Sequence, residues 1–162
     1  VEIGGQCWMQ ENIDVDPAGS IAHDGSTDTG WYGYYSTTYQ AAGEGTLLQW
    51  SAAMNGATTE RAQGVCPTDW HIPSDCEWMY LENSLGMTIA EQQGTGFRDS
   101  GSVGSKLSTF TNNGTGTNSS GFTALLAGVR FTNGAFNSRG TLGYWWSSSE
   151  ASATNAHYRV LG

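Results

Sequence analysis

Cations are scarce in this sequence: Lys106 is the single lysine, six Lys plus Arg stand against fifteen Asp plus Glu, and the net charge is −9. A chain of that charge repels phosphate backbones and anionic headgroups, which argues against nucleic acid and membrane surfaces as partners. Long hydrophobic runs are missing too. No stretch approaches the roughly 18–20 apolar residues of a spanning helix, so no direct membrane insertion is expected, and Val1–Gly5 lacks a basic segment leading into an apolar one. Any leader or anchor would lie outside these residues. Cysteine is sparse and odd in number, so Cys7, Cys66 and Cys76 form at most one internal disulfide. Cys66 with Cys76 would close a short local loop. Cys7 with Cys66 would staple the N-terminus to the middle of the chain and remove more entropy from the unfolded state. A structural zinc site takes about four ligands, and His23, His71 and His157 are too scattered to complete one. The signatures of hydrolases and phosphate binders are also absent: there is no Gly-x-Ser-x-Gly, no His-Glu-x-x-His and no phosphate loop. Neither an enzyme nor a cofactor is expected.

Glycine and aromatics are abundant. Glycine supplies 23 of 162 residues, about twice the ~7% average, while charged residues are about half the usual ~25%. Seven Trp and seven Tyr exclude a disordered chain, which is poor in such residues. The composition is that of one loop-rich, aromatic-cored, extracellular-looking domain spanning 1–162, with no internal repeat.

Ser74 and Glu77 form a capping box, which predicts a helix from Asp75 to Leu85 with Trp78, Leu81 and Leu85 on one face and Gly86 as its stop. Leu47, Trp50 and Met54 share helical spacing within Thr46–Asn55, ended by Gly56, and Thr88 with Glu91 caps a further short turn. Strands are expected over Phe122–Phe131, Gly143–Ser149 and Asn155–Leu161, with Leu107–Gly121 a solvated loop. Helices followed by strands give an α+β domain.

Asp14, Asp16, Asp24 and Asp28 could offer oxygen ligands, but Asp24–Asp28 lacks the calcium-loop order and reads as Asx turns. His71 reads as a residue entering the helix rather than a general base. Trp145 and Trp146 are adjacent and point to opposite faces of a strand. One is core; the other is either a binding platform or a second core contact. His157 and Arg159 share a face opposite Tyr158 and Val160, which directs the polar pair outward if the other face packs.

Three blocks occur in order along the chain: Gly4–Ile13, containing Gln6-Cys7-Trp8-Met9; Gly64–Trp78, containing Val65-Cys66-Pro67; and Gly143–Glu150, containing Tyr144-Trp145-Trp146-Ser147. Together with Leu48–Met54 and Ala124–Arg130 they resemble the Fibrobacter succinogenes major paralogous domain over essentially the whole chain. The resemblance implies a C-type-lectin-like fold of the branch shared with formylglycine-generating enzymes, with two helices, a small twisted antiparallel sheet and long loops. It favours Cys7 paired with Cys66. The related enzymes use cysteines late in the chain, and nothing after Cys76 is a cysteine, so their catalysis does not carry over.

The same fold resembles the scaffold of diversity-generating retroelement variable proteins, whose C-terminal region changes to alter ligand specificity. That resemblance implies a ligand-binding region at about 130–159. Phe131, Asn133, Phe136, Asn137, Arg139, Thr141, Tyr144, Trp146, Glu150 and His157 mix rigid aromatics with adaptable amides and charges, as recognition surfaces do. Within Phe136–Thr141, an aromatic and an Arg make a plausible anchor set. The expectation is a non-enzymatic domain on a cell or virus surface that binds a protein or other macromolecular ligand. Its site residues should be replaceable, whereas Trp50, Trp78, Leu81, Trp145 and Tyr158 should not. A carbohydrate-binding or architectural module is the alternative, although Glu150 with Asn155 is all that the C-terminal strands offer a calcium-dependent lectin.

Overall fold

The computed structural model describes residues 1–16, 21–22, 31–35, 43–96, 98, 100–111 and 114–162, without the side chains of 21–22, 31–32, 111 and 115. Asp24, Asp28 and His23 lie outside the described residues. Five short strands open the chain: β1 (Glu2–Ile3), β2 (Gln6–Cys7), β3 (Ile21–Ala22), β4 (Trp31–Gly33) and β5 (Leu47–Leu48). Helices α1 (Trp50–Ala53), α2 (Asp75–Ser84), α3 (Ile89–Gln92) and α4 (Val103–Leu107) follow. The C-terminal part holds β6 (Phe110–Thr111), β7 (Gly114–Thr115), β8 (Val129–Arg130), β9 (Phe136–Asn137), β10 (Gly143–Ser152) and β11 (Asn155–Leu161). The result is a mixed α and β architecture of small, mostly antiparallel sheets, with four helices among the described residues rather than the two expected.

Helix α2 starts where its capping chemistry dictates. The Ser74 hydroxyl accepts from the Glu77 amide, and the Glu77 carboxylate accepts from the Ser74 amide at 2.8 Å. Trp78 and Leu81 are buried, Leu85 is the C-cap, and Gly86 turns away at φ 108°. Thr88 and Glu91 cap α3 in the same way. Helix α1 is shorter than its apolar spacing predicts. Leu47 and Leu48 pair with Gly33 and Tyr32 as a strand, and Gln49 supplies no side-chain cap, so the helix begins only at Trp50.

Two other expectations are corrected. Of Phe122–Phe131, only Val129 and Arg130 pair, with Asn137 and Phe136. Thr123 and Gly128 adopt left-handed backbone, which interrupts an extended run. The described residues of Leu107–Gly121 are solvated in large part, with Thr109, Phe110, Gly114, Thr117 and Ser119 exposed, but they are more than a loop: Leu107 ends α4, β6 pairs with β7, and Ser108 is fully buried with its hydroxyl donating to the Ala124 carbonyl at 2.8 Å.

The core gathers Ile3, Trp8, Trp78, Leu81, Val103, Phe122 and Leu161, with Trp145 packed against it. Trp8 lies on Trp78 with centroids 4.8 Å apart, and Phe122 meets Trp78 and Trp145 edge-on. All three cysteines are free thiols, so the Cys7–Cys66 pairing implied by the resemblance is not present. Non-covalent contacts attach the N-terminus instead. Trp8 and Val1 exchange backbone hydrogen bonds, and the Gln10 side chain donates to the Gly121 carbonyl at 3.0 Å.

Strands β10 and β11 form a ribbon held by indole N–H groups. Trp78 donates to the Trp146 carbonyl at 3.2 Å and Trp50 to the Ser147 carbonyl at 2.8 Å, while Trp145 donates to Asn12 and Trp146 to the Leu48 carbonyl. Register shifts between Trp146 and Glu150 release Ser147–Ser149 from regular pairing. These hydroxyls serve other segments: Ser148 accepts from the Arg61 amide and Ser149 from the Asp75 amide, each at 2.9 Å.

The ribbon faces lie opposite to the sequence expectation. Helix α2 packs on the side of Arg159, which donates to Asp75 at 2.6 Å and to Glu82 at 2.7 Å, and Arg98 also donates to Glu82 at 2.9 Å. Arg159 therefore points inward because two helix carboxylates receive it. His157 sits at the edge of the same face, 4.0 Å from Asp75 and partly exposed. Tyr158, placed in the core by sequence reasoning, is 52% exposed on the other face. Burial pushes the Glu82 carboxyl up, and the charges of Arg159 and Arg98 only partly offset that rise.

Candidate functional site

The exposed face of the ribbon is one wall of a groove of about 1510 Å³. Tyr144, Trp146 and Tyr158 line it from the strands, and Glu150 with Ser152–Ala156 extends it toward the ribbon tip. Tyr158 meets Trp146 edge-on at 5.9 Å and Tyr144 at 6.1 Å. Because the Trp146 indole N–H is already bonded to Leu48, its ring is fixed in place. Leu48, Gln49 and Trp50 line the groove from the β5–α1 corner, and Met9, Thr123 and Phe131 from the loops.

The segment between α1 and α2 and the first turn of α2 supply one charged part of the lining. Gly64 allows that segment to lie against α1: its φ is 56°, and a Cβ there would fall 2.3 Å from the Ala53 carbonyl oxygen. Arg61, Asp69, Trp70, His71 and Glu77 all open on the groove. Glu77 is the hub. The Arg61 Nε lies 3.1 Å from Glu77 Oε1, and His71 Nε2 lies 3.0 and 3.1 Å from the two carboxylate oxygens. Burial pushes the Glu77 carboxyl up, but the bonds from the Ser74 amide, His71 and the Ser74 hydroxyl, with the charge of His71, outweigh burial and hold it below the usual carboxylate range. Burial also pushes the Cys66 thiol up, which leaves it protonated and a poor nucleophile.

The family model of the Fibrobacter succinogenes major domain matches residues 1–162. The chain belongs to that family. No curated protein and no solved structure matches it. In this Fibrobacter succinogenes major domain, the groove is built from all three of the sequence blocks quoted above: Cys7–Ile13, the 64–78 segment and the Gly143–Glu150 strand all contribute lining residues.

Four of the ten sequence-selected site residues line the groove: Phe131, Tyr144, Trp146 and Glu150. A second set lies in the β8–β10 connection and is engaged internally. The Phe136 ring packs on Tyr35 at 5.3 Å, and the Arg139 Nε donates to both Glu44 oxygens at 2.9 and 3.0 Å, with its guanidinium over the Tyr35 ring. Asn133 accepts from the Ala135 amide, Asn137 from the Ser138 amide, and Thr141 donates to the Ser138 carbonyl. His157 stands apart, beside α2. Arg61, Trp70 and Tyr158 are among the groove residues that sequence reasoning missed. The nearest signal was Glu77, whose role as a cap left no hint that its carboxylate also orients Arg61 and His71. Asp14, from the acidic N-terminal set, accepts from Tyr34 and Thr46, and no three His, Cys, Asp or Glu side chains among the described residues could hold a metal ion.

Proposed function

We propose that this family member is a non-enzymatic ligand-binding domain of C-type-lectin-like fold, displayed outside the cell or on a cell or virus surface, whose groove takes a protein or other macromolecular target. The observation that carries this reading is the division of the ribbon: one face is fastened to the core and α2, while Tyr144, Trp146 and Tyr158 on the other wall an open groove. Rigid aromatics on a pre-ordered frame supply contact area at little ordering cost. The further reading is that the region at about 130–159 is the diversified part of a retroelement variable protein.

Sequencing the flanking DNA tests the diversified reading. The expected result is a near-copy of the sequence encoding this region, differing only at adenines, beside a reverse transcriptase gene; their absence removes diversification. The binding reading is tested separately by screening proteins and glycans against wild type and Tyr158→Ala. A target held equally by both overturns the groove as the site. Exposed Trp70 and Tyr158, which line the same groove as the neutral amides of Gln49 and Asn155, favour carbohydrate as the second reading, because such rings stack on sugar faces.

A further inference from the structure

The six cations of this chain are not equally available. Arg98 and Arg159 are committed to Glu82 and Asp75, Arg139 is clamped by Glu44, Arg130 is 7% exposed, and Lys106 donates to the Leu85 carbonyl at 2.6 Å. Arg61 differs: its side chain is 61% exposed and it opens on the groove. Among the described residues, its Nε faces Glu77 at 3.1 Å and His71 at 3.5 Å, and the Nη1 and Nη2 edge meets no acceptor.

The backbone at Arg61 adds an independent observation. Its φ is 62°, a left-handed conformation that disfavours a residue with a Cβ relative to glycine. This chain places glycine at many of its left-handed positions, among them Gly56 and Gly64 on either side of Arg61. An arginine at such a position fits a side chain with work to do. Ser148 holds the strained residue by accepting its amide, and Glu77 fixes the direction of the guanidinium.

We infer that Arg61, oriented by Glu77 and flanked by His71, is a ligand-contacting residue of the groove whose free Nη edge receives a carboxylate of the bound molecule. This rests on the groove being the binding site. A guanidinium fork with two parallel donors matches a carboxylate bidentately, as a point charge does not. The net charge of −9 gives no long-range attraction to an anion, so selectivity arises from fixed geometry at contact.

The test is an NMR titration of the arginine Nε–Hε signals and the His71 ring with sodium acetate, with sodium chloride keeping ionic strength constant and acetamide as the uncharged isostere. Saturable shifts at Arg61 and His71 are expected with acetate alone, while the Arg139 and Arg159 signals stay in place. Arg61→Asn suits left-handed backbone and removes the fork, so the His71 response should vanish; Arg61→Lys keeps the charge and should weaken acetate binding about tenfold. Linear shifts, equal shifts with acetamide or chloride, or a His71 response that survives in Arg61→Asn would overturn the assignment. Acetate titration needs no natural target, so its failure alongside a target sensitive to Tyr158→Ala rejects only the carboxylate subsite. Success without any groove-dependent target rejects only the binding reading.

Discussion

The ribbon β10–β11 and the loop between Phe131 and Leu142 carry the same kinds of residue, aromatics, amides, hydroxyls and an arginine, yet they use them differently. In the loop, Asn133, Asn137 and Thr141 close their own turns, and Phe136 and Arg139 reach back to Tyr35 and Glu44. In the ribbon, backbone carbonyls accept the indole N–H groups of Trp50 and Trp78, and its own Ser148 and Ser149 hydroxyls accept amides of other segments, which leaves the rings of Tyr144 and Tyr158 facing the groove. A recognition-like composition therefore does not identify a recognition surface. What distinguishes the two is whether the exposed aromatic faces open on the groove, as those of Tyr144 and Tyr158 do, or turn back onto the chain, as that of Phe136 does on Tyr35.

The comparison can be broken first at its frame. Trp78→Ala should cost about 3–5 kcal/mol, because it removes a buried ring and its bond to the Trp146 carbonyl; a urea midpoint matching wild type would mean the ribbon does not depend on α2. Arg159→Ala should cost a comparable amount, about 3–5 kcal/mol, since it leaves the buried Glu82 short of one guanidinium. Had the outward orientation expected from sequence been right, the loss would be under about 0.5 kcal/mol, as for an ordinary surface change.

A smaller effect is expected in the loop. Arg139→Ala, which removes a partly exposed charged pair, should cost about 1 kcal/mol in thermal or denaturant melts. It should change ligand binding less than Tyr158→Ala does. Tyr158→Ala should leave stability within about 0.5 kcal/mol while weakening binding. Reversal of these two outcomes would assign the recognition role to the loop.

The smallest expected effect is one of pH. The folded-state carboxyl of Glu77 lies below its unfolded value of about 4.3, so its contribution is fully present above that pH and is lost as pH falls through the lower folded value. Glu82 acts with the opposite sign: its raised folded value lets the native state bind the extra proton, so its contribution falls as pH rises through the interval above about 4.3. Glu77→Gln should therefore flatten the acid limb of a stability profile, with no change in slope on the side above. An unaltered acid limb would show that the hub does not hold its charge.

Local chemistry was legible. The caps at Ser74 and Thr88 join residues three apart, and β11 matches its expected range because alternation and the flanking turn are properties of a short segment. Wherever the partner was remote, the reading failed or stayed open. Leu47 looked helical until β4 paired with it, and Arg159 looked exposed because Asp75 and Glu82 stand 84 and 77 residues away. The Trp145–Trp146 alternative is decided the same way: Trp145 packs against the core through Phe122, and Trp146 turns to Leu48 and Tyr158.

By itself, then, the sequence determined the family, the mixed α and β character, the principal helix with its caps and the two long C-terminal strands, because those depend on neighbours along the chain. Tertiary structure alone decided which face of the ribbon meets the groove, that Arg139 is clamped while Arg61 stays open, and that the cysteines remain thiols. These outcomes depend on which distant groups are brought within hydrogen-bond or packing distance, and side-chain periodicity contains no information about the identity of the surface on the other side.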